Sequence, residues 1–210
     1  MQHAYAKVPI MQHAILQLKV TLIATDPLVW RRILVLAEYS FADLHATLQD
    51  AFGWTESHLH HFLTANPFNR NATYKRIGPP MPEEFPDEEP VLDERNEKIS
   101  VWLAKPNDMV FYEYDFGDSW MHEVMLERIL PAQPKDQYPQ LVDGANACPP
   151  EDCGGAGGYA RLIEVLADPN NEEHDDMLEW LGLEDANEFD PTRFDPKQVV
   201  FRDSRKPKRR

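Results

Sequence analysis

Alternation of apolar and polar positions predicts a set of β-strands along this chain. Residues 15–23 and 29–36 alternate and are rich in β-branched side chains, and the turn pair Asp26-Pro27 separates them. Residues 109–114 and 122–130 alternate as regularly on either side of a polar turn. Each pair is therefore predicted to be antiparallel, and residues 54–65 are a further strand candidate.

Apolar positions spaced by three and four residues predict helices. The clearest helix begins after Ser40, which forms a capping-box pattern with Asp43 three residues later. It ends before Gly53, a residue suited to a left-handed C-cap. Residues 159–167 and 172–181 show the same helical spacing and predict two more helices.

Proline-rich segments separate these elements. Residues 78–96 combine prolines with acidic residues and predict an exposed loop without regular structure, and residues 131–150 predict a second such loop. Asp190-Pro191 and Asp195-Pro196 each match an N-cap followed by a first-turn proline, so short helical turns are expected there.

The length of 210 residues fits one domain with appendages. We divide the chain into an N-terminal extension (1–14), a single folded domain with long proline-rich loops (15–201) and a basic tail (202–210). The tail is expected to be disordered, because its charges leave nothing to bury.

Charge restricts the classes of partner. The net charge is −15, and the last nine residues hold six basic residues and one acidic residue, which leaves −20 on the remainder. Such a body repels a phosphate backbone, so nucleic acid is expected to bind only through tail residues 205–210. No apolar run approaches the roughly 20 residues of a membrane span, and no secretory leader is recognisable. Two cysteines without a leader indicate the reducing cytoplasm.

The polar turn between the two later strands carries the densest chemistry. Asp115, Asp118, Trp120 and His122 lie within eight residues of one another there. His122 shares a strand face with apolar residues, so it needs a defined partner, which Asp115 or Asp118 would supply. Together with Glu151, these two aspartates are the candidate catalytic groups. No Gly-x-Ser-x-Gly or His-Glu-x-x-His motif accompanies them.

Histidines and cysteines elsewhere add a possible metal set. His58 and His60 would share one face of a strand, and Cys148 and Cys153 are the first and last residues of the segment CPPEDC. With His122 they could bind a divalent metal such as zinc. A glycine-rich entry to a helix, such as Gly154 and Gly155, can hold an anion, but Glu151 and Asp152 would repel phosphate, so a purely structural turn is the preferred interpretation. Local structural roles for all of these residues remain an alternative.

Two further polar residues are expected at the edge of the core. Arg31 and Arg32 fall on opposite strand faces, so one is predicted to point inward, where a buried arginine needs a carboxylate partner. His45 lies beside the apolar stripe of the first helix, either as a site residue or as a partly buried histidine with one hydrogen bond.

Six ordered motifs resemble the plasmid Ri (pRiA4b) ORF-3-like family of largely uncharacterised proteins. They are PLVWRRI (27–33), FADLHATLQDAFGW (41–54), HLHHF (58–62), YDFGDSWMHEV (114–124), CPPEDCGGAGGY (148–159) and FDPTRFD (189–195). The resemblance implies an α+β fold, in which helices pack on an antiparallel sheet. It also implies an association with plasmids and mobile elements, but no established catalytic role.

The expected function is that of a cytoplasmic binding module of mobile-element origin. Its polar cleft would bind a ligand or protein partner and would be lined by Arg31, His45, Trp54, Trp120, Gly154 and Gly155. A metal-dependent hydrolase is the first alternative, with His58, His60 and His122 as ligands and Asp118 or Glu151 as general base. An accessory role in DNA transactions through the tail is the second. Whether the protein is an enzyme stays open.

Overall fold

The computed structural model describes residues 14–80, 90–133 and 136–202. Eight strands of the described chain form one sheet in the order β5-β4-β3-β6-β7-β1-β2-β8. The strands are β1 (Ala14–Leu22), β2 (Trp30–Leu36), β3 (His60–Leu63), β4 (Arg76–Gly78), β5 (Leu92–Asp93), β6 (Met109–Tyr114), β7 (Trp120–Pro131) and β8 (Gln140–Ala145). The helices are α1 (Phe41–Phe52), α2 (Ile99–Trp102), α3 (Gly155–Ala167) and α4 (His174–Leu181). The predicted α+β class and single domain are confirmed.

The central strands explain why the core forms where it does. β1 pairs antiparallel with β2 on one side and β7 on the other, and β6 pairs antiparallel with β7. Alternate residues of β1, among them Leu16, Leu18 and Val20, are fully buried. They belong to one core cluster with Phe41 and Leu48 of α1. The apolar stripe of α1 therefore meets the apolar face of the sheet.

Both predicted ends of α1 are confirmed. The Ser40 side chain accepts a hydrogen bond from Asp43 N at 3.2 Å, and the Asp43 carboxylate accepts from Ser40 N at 2.9 Å. Gly53 has a φ of 82° and donates its backbone N–H to Gln49 O. These local bonds satisfy backbone groups that a helix leaves unpaired at its ends.

Three segments differ from the predicted elements. The strand expected at 54–65 begins only at His60, because the backbone before it turns: Glu56 has a φ of 60° and donates its N–H to the side chain of Gln49. The loop expected at 131–150 contains β8, an edge strand that pairs with β2. In the loop expected at 78–96, β5 pairs parallel with β4, while residues 81–89 lie outside the described chain.

The C-terminal part follows its predicted pattern more loosely. The helix expected from residue 159 begins earlier, at Gly155, and the one expected from 172 begins at His174. Asp195 caps a short 3-10 helix (Pro196–Gln198) as predicted. Asp190 instead accepts hydrogen bonds from Thr192, and the other 3-10 helix (Ala186–Glu188) begins after Asp185.

The predicted appendages lie almost wholly outside the described residues. These are the N-terminal extension 1–14, of which only Ala14 is described, and the tail, including its basic residues 205–210. Of the helices in the described ranges, none is long and apolar enough to cross a membrane.

Candidate functional site

The turn between β6 and β7 is held by its own polar side chains. Asp115 and Ser119 have left-handed backbones, with φ of 56° and 51°. The Asp115 carboxylate accepts the N–H of Gly117 at 3.0 Å, and the Asp115 carbonyl accepts the N–H of Ser119 at 2.6 Å. Asp115 is 8% exposed. The turn therefore presents a largely buried carboxylate whose second oxygen is available to other groups.

The loop from Cys148 to Gly155 docks against this turn. The Gly154 N–H donates to the Asp118 carboxylate at 3.1 Å, and the Trp54 indole N–H donates to Pro149 O at 3.1 Å. A side chain at Gly155 would place its Cβ 2.5 Å from Asp118 O, so the backbones approach too closely for any other residue. Asp118, Gly154 and Gly155 thus join the two segments.

His58 lies between two carboxylates that these segments supply. Its Nδ1 is 3.6 Å from Asp115 Oδ2, and its Nε2 is 3.2 Å from Asp152 Oδ1. One potential ligand atom from each of the three residues lies within 4.8 Å of the other two. His58 Nε2 is shielded from solvent and has no hydrogen-bond partner, because the nearby Asp152 oxygen lies outside hydrogen-bonding geometry. Within the described ranges, no other group of three such residues comes together.

Glu151 is fixed beside this trio. Its carboxylate accepts hydrogen bonds from the hydroxyls of Tyr114 and Thr55, the latter at 2.5 Å. Burial raises the pKa of Tyr114 above its ordinary value, and the hydrogen bond to Glu151 raises it further. The Tyr114 hydroxyl in turn accepts the N–H of Ser57 at 3.1 Å. Glu151 therefore orients the chain around His58, and both of its oxygens are already engaged.

His60 belongs to a different, more buried network. Its Nε2 is 2.7 Å from Glu94, and its ring stacks on that of His45 with centroids 3.5 Å apart. His45 Nδ1 is 2.8 Å from the hydroxyl of Tyr112, which also accepts a hydrogen bond from Gln49. Desolvation raises the pKa of Tyr112. The structure thus separates His60 and His45 from the His58 trio.

His122 lies in the core. Its Nδ1 is 3.0 Å from Trp120 O and 3.2 Å from Tyr112 O, and the rings of Phe52 and Trp54 pack edge-on against it. The expectation that Asp115 or Asp118 pairs with it is wrong, because main-chain carbonyls take that place. Burial lowers the pKa of His122 from 6.5 to about 4. The Nε2 of His122 and the indole nitrogen of Trp120 are buried without a hydrogen-bond partner.

Arg31 is the buried arginine, with 3% of its surface exposed, but its predicted carboxylate partner is wrong. Its guanidinium instead donates to the four main-chain carbonyls of Ala51, Trp30, Ala145 and Asn146. Desolvation lowers the pKa of Arg31 from 12.5 to about 10. The side chain thereby ties the end of α1 to β2 and β8. Arg32, on the opposite face, pairs with Glu127 and Asp143.

The remaining candidate residues are dispersed. Cys148 and Cys153 are free thiols, and burial raises the pKa of Cys153 to about 12 and that of Cys148 further. Neither cysteine belongs to the group of three potential metal ligands found among the described residues. Arg31, Trp54 and Cys148 line a pocket of about 700 Å³ beside the C-terminal segment, whereas Trp120 is 1% exposed in the core. The predicted cleft is thus divided among several places.

Three residues around His58 were missed at the sequence level: Asp152, Tyr114 and Thr55. Asp152 lies between the two cysteines of the segment that was singled out, so the segment was identified but not the residue that faces His58. Tyr114 alternates into the core as any strand tyrosine would. Thr55 carries no local signal, because its role depends on a contact with Glu151, 96 residues away.

Comparison with known proteins places the chain in a family. Residues 14–198 match the sequence pattern of the plasmid pRiA4b ORF-3-like proteins. The uncharacterised protein y4hQ of Sinorhizobium fredii is 37% identical over 172 residues, which cover 82% of this chain and 83% of that relative. The crystal structure of a protein of unknown function, MM3350 from Methanosarcina mazei Go1, is similar with a TM-score of 0.76 at 37% identity. The similarity covers 90% of this chain and 99% of that one. The chain therefore belongs to the plasmid pRiA4b ORF-3-like protein family.

Proposed function

We propose that this protein is a binding module that holds a divalent cation on His58, Asp115 and Asp152, and through that cation a ligand. The observation that carries the proposal is the convergence of one imidazole and two carboxylates, with their ligand atoms within 4.8 Å of one another. The solvent-shielded His58 Nε2 lies 3.2 Å from Asp152 Oδ1 outside hydrogen-bonding geometry, so a cation bound by both atoms would give this nitrogen a partner.

The donor set restricts the metal. Imidazole nitrogen with carboxylate oxygen suits Zn²⁺, Mn²⁺ or Fe²⁺ better than Ca²⁺ or Mg²⁺, which prefer oxygen alone. The surrounding bonds would keep the ligands in place: Asp115 is anchored by Gly117, and the loop that carries Asp152 is anchored through Asp118 and Gly154. Three protein ligands leave coordination positions open for water or for a ligand's oxygen.

A metal-dependent hydrolase is the second candidate. It is favoured by the same three-ligand arrangement, since catalytic zinc sites commonly keep an open position for an activated water. Asp118 would be the preferred general base, because one of its oxygens accepts a hydrogen bond from Gly154, whereas both oxygens of Glu151 accept hydrogen bonds from hydroxyl groups. A hydrolase should turn over a chromogenic phosphate or ester in the presence of zinc. His58→Ala should abolish that turnover.

Calorimetric titration of Zn²⁺ and Mn²⁺ into metal-stripped, untagged protein tests the proposal. His58→Ala removes a ligand, and Asp152→Asn replaces a charged carboxylate with a neutral amide, so each is expected to weaken binding at least about tenfold. His174→Ala is the matched control, because His174 also faces one carboxylate, Asp175 at 3.3 Å, without a third ligand. It should leave the affinity unchanged.

Two results would count against the cation site. Equal losses in His58→Ala and His174→Ala would indicate adventitious imidazole binding. No metal binding in the wild type, with His58→Ala lowering the melting temperature, would make the trio a structural contact between His58 and the two aspartates.

A further inference from the structure

A second pocket, of about 340 Å³, lies between α3, α4 and the loop that carries Asp152. Its volume is at the lower end of ligand-binding pockets and matches a group about the size of one long side chain. Asp152 is the residue that this pocket has in common with the His58 trio.

The apolar part of the pocket is contributed mainly by the two helices. Leu162 of α3 belongs to the buried set, Met177 of α4 is half-buried, and Trp180 of α4 is 49% exposed. No residue of α4 is fully buried. An indole that lines a pocket while half of it remains in contact with solvent offers an aromatic surface to a ligand.

The charged part of the pocket is acidic. Glu173 is already neutralised by Arg161, whose guanidinium binds its carboxylate. The Asp176 carboxylate has no hydrogen bond or ion pair with any residue of the described chain. Asp152 also lines the pocket but faces His58, and no lysine or arginine is found among the described residues that line the pocket. The pocket therefore carries the uncompensated negative charge of Asp176 in a chain that is already at −15.

A carboxylate beside an indole is a favourable environment for an organic cation. The aromatic face attracts positive charge, the carboxylate pairs with it, and apolar neighbours cover an aliphatic stem. We propose that this pocket binds an ammonium or guanidinium group on an apolar stem, with Asp176 as the charge partner and Trp180 as the stacking surface. This site would be separate from the proposed metal site, although both use Asp152.

The experiment follows the indole N–H signal of Trp180 in ¹⁵N-labelled full-length protein, assigned with Trp180→Phe. N-acetyl-arginine amide is expected to shift this signal saturably, whereas the neutral isostere N-acetyl-citrulline amide should not. Asp176→Asn is expected to weaken binding at least about threefold, because it removes the charge partner. The matched control is Glu179→Gln, an equal change of charge on the same helix at a residue that does not line the pocket.

The outcomes separate this inference from the proposed metal site. Equal binding of the citrulline compound, or equal losses in Asp176→Asn and Glu179→Gln, would overturn it. No saturable shift of the Trp180 signal would do the same. Tighter binding of spermidine than of N-acetyl-arginine amide would assign the site to free polyamines, and the reverse order to a basic side chain of a polypeptide. Zn²⁺ titration of Asp176→Asn should match the wild type, so the two proposals can fail independently.

Discussion

Replacing Arg31 with methionine is expected to destabilise the fold by about 3 kcal/mol. The guanidinium donates to the carbonyls of Ala51 at 3.1 Å, Trp30 at 2.8 Å, Ala145 at 2.9 Å and Asn146 at 3.0 Å. Hydrogen bonds from a charged donor contribute about 1.5 kcal/mol each, so their loss amounts to about 6 kcal/mol. Methionine keeps an apolar stem but offers no donor.

Removing the buried charge returns part of that loss. The pKa of Arg31 falls from 12.5 to about 10 because its charged form is desolvated. This lowering corresponds to a burial cost of about 3 kcal/mol, which the methionine variant no longer bears. The rings of Phe52 and Phe194, which flank the guanidinium, retain contact with a flexible thioether. The balance is the expected net loss of about 3 kcal/mol.

Urea unfolding followed by circular dichroism measures this difference directly, and the melting temperature should fall by about 6–12 °C. Arg32→Met is the matched control, because it makes the same change at the next position of the same strand. Arg32 pairs with Glu127 and Asp143 at a partly exposed site, so its loss should cost only about 1 kcal/mol. A smaller loss in Arg31→Met than in Arg32→Met would refute the role of the four carbonyls.

Two further predictions concern the core and the docked loop. The pKa of His122 is lowered to about 4 in the fold. As the pH falls, the unfolded chain therefore binds a proton at His122 before the folded chain does. The fold loses up to about 3 kcal/mol of stability between about pH 6.5 and pH 4. Unfolding free energies at pH 7 and pH 4.5 should show a smaller pH-dependent loss in His122→Gln, and an equal loss would contradict this. A Cβ on Gly158 would lie 1.8 Å from Cys153 O, whereas one on Gly157 meets nothing within 4 Å. Gly158→Ala should therefore lower the melting temperature, while Gly157→Ala leaves it unchanged or raises it by the helix preference of alanine; equal effects would mean that the loop can shift freely.

The central strands and α1 were predictable because their signals are local. Period-two burial in β1 and the paired bonds of Ser40 with Asp43 depend on residues a few positions apart. β8 was missed because an edge strand with exposed residues at its centre shows little apolar alternation. The strand start at His60 was misplaced because the preceding backbone is held by Gln49 and Tyr114, which come from other elements.

The candidate site was predictable only as a set of residues. The turn at Asp115, His58 and the segment around Asp152 were each singled out by composition, but His60 and His122 were grouped with them. Strand periodicity places His58 and His60 on one face, whereas the chain at His58 has not yet entered the strand. Contacts such as that between Tyr114 and Glu151, 37 residues apart, leave no periodic trace.

The sequence by itself determined the family, the α+β class, the two inner pairs of strands and the ends of α1. Those features follow from hydrogen bonds and apolar spacing among neighbouring residues. Only the tertiary structure decided that Arg31 binds carbonyls, that His122 is enclosed by aromatic rings, and that His58 faces two aspartates. A buried polar group takes the partner that packing brings within about 3 Å, and packing joins residues whose separation in the sequence is arbitrary.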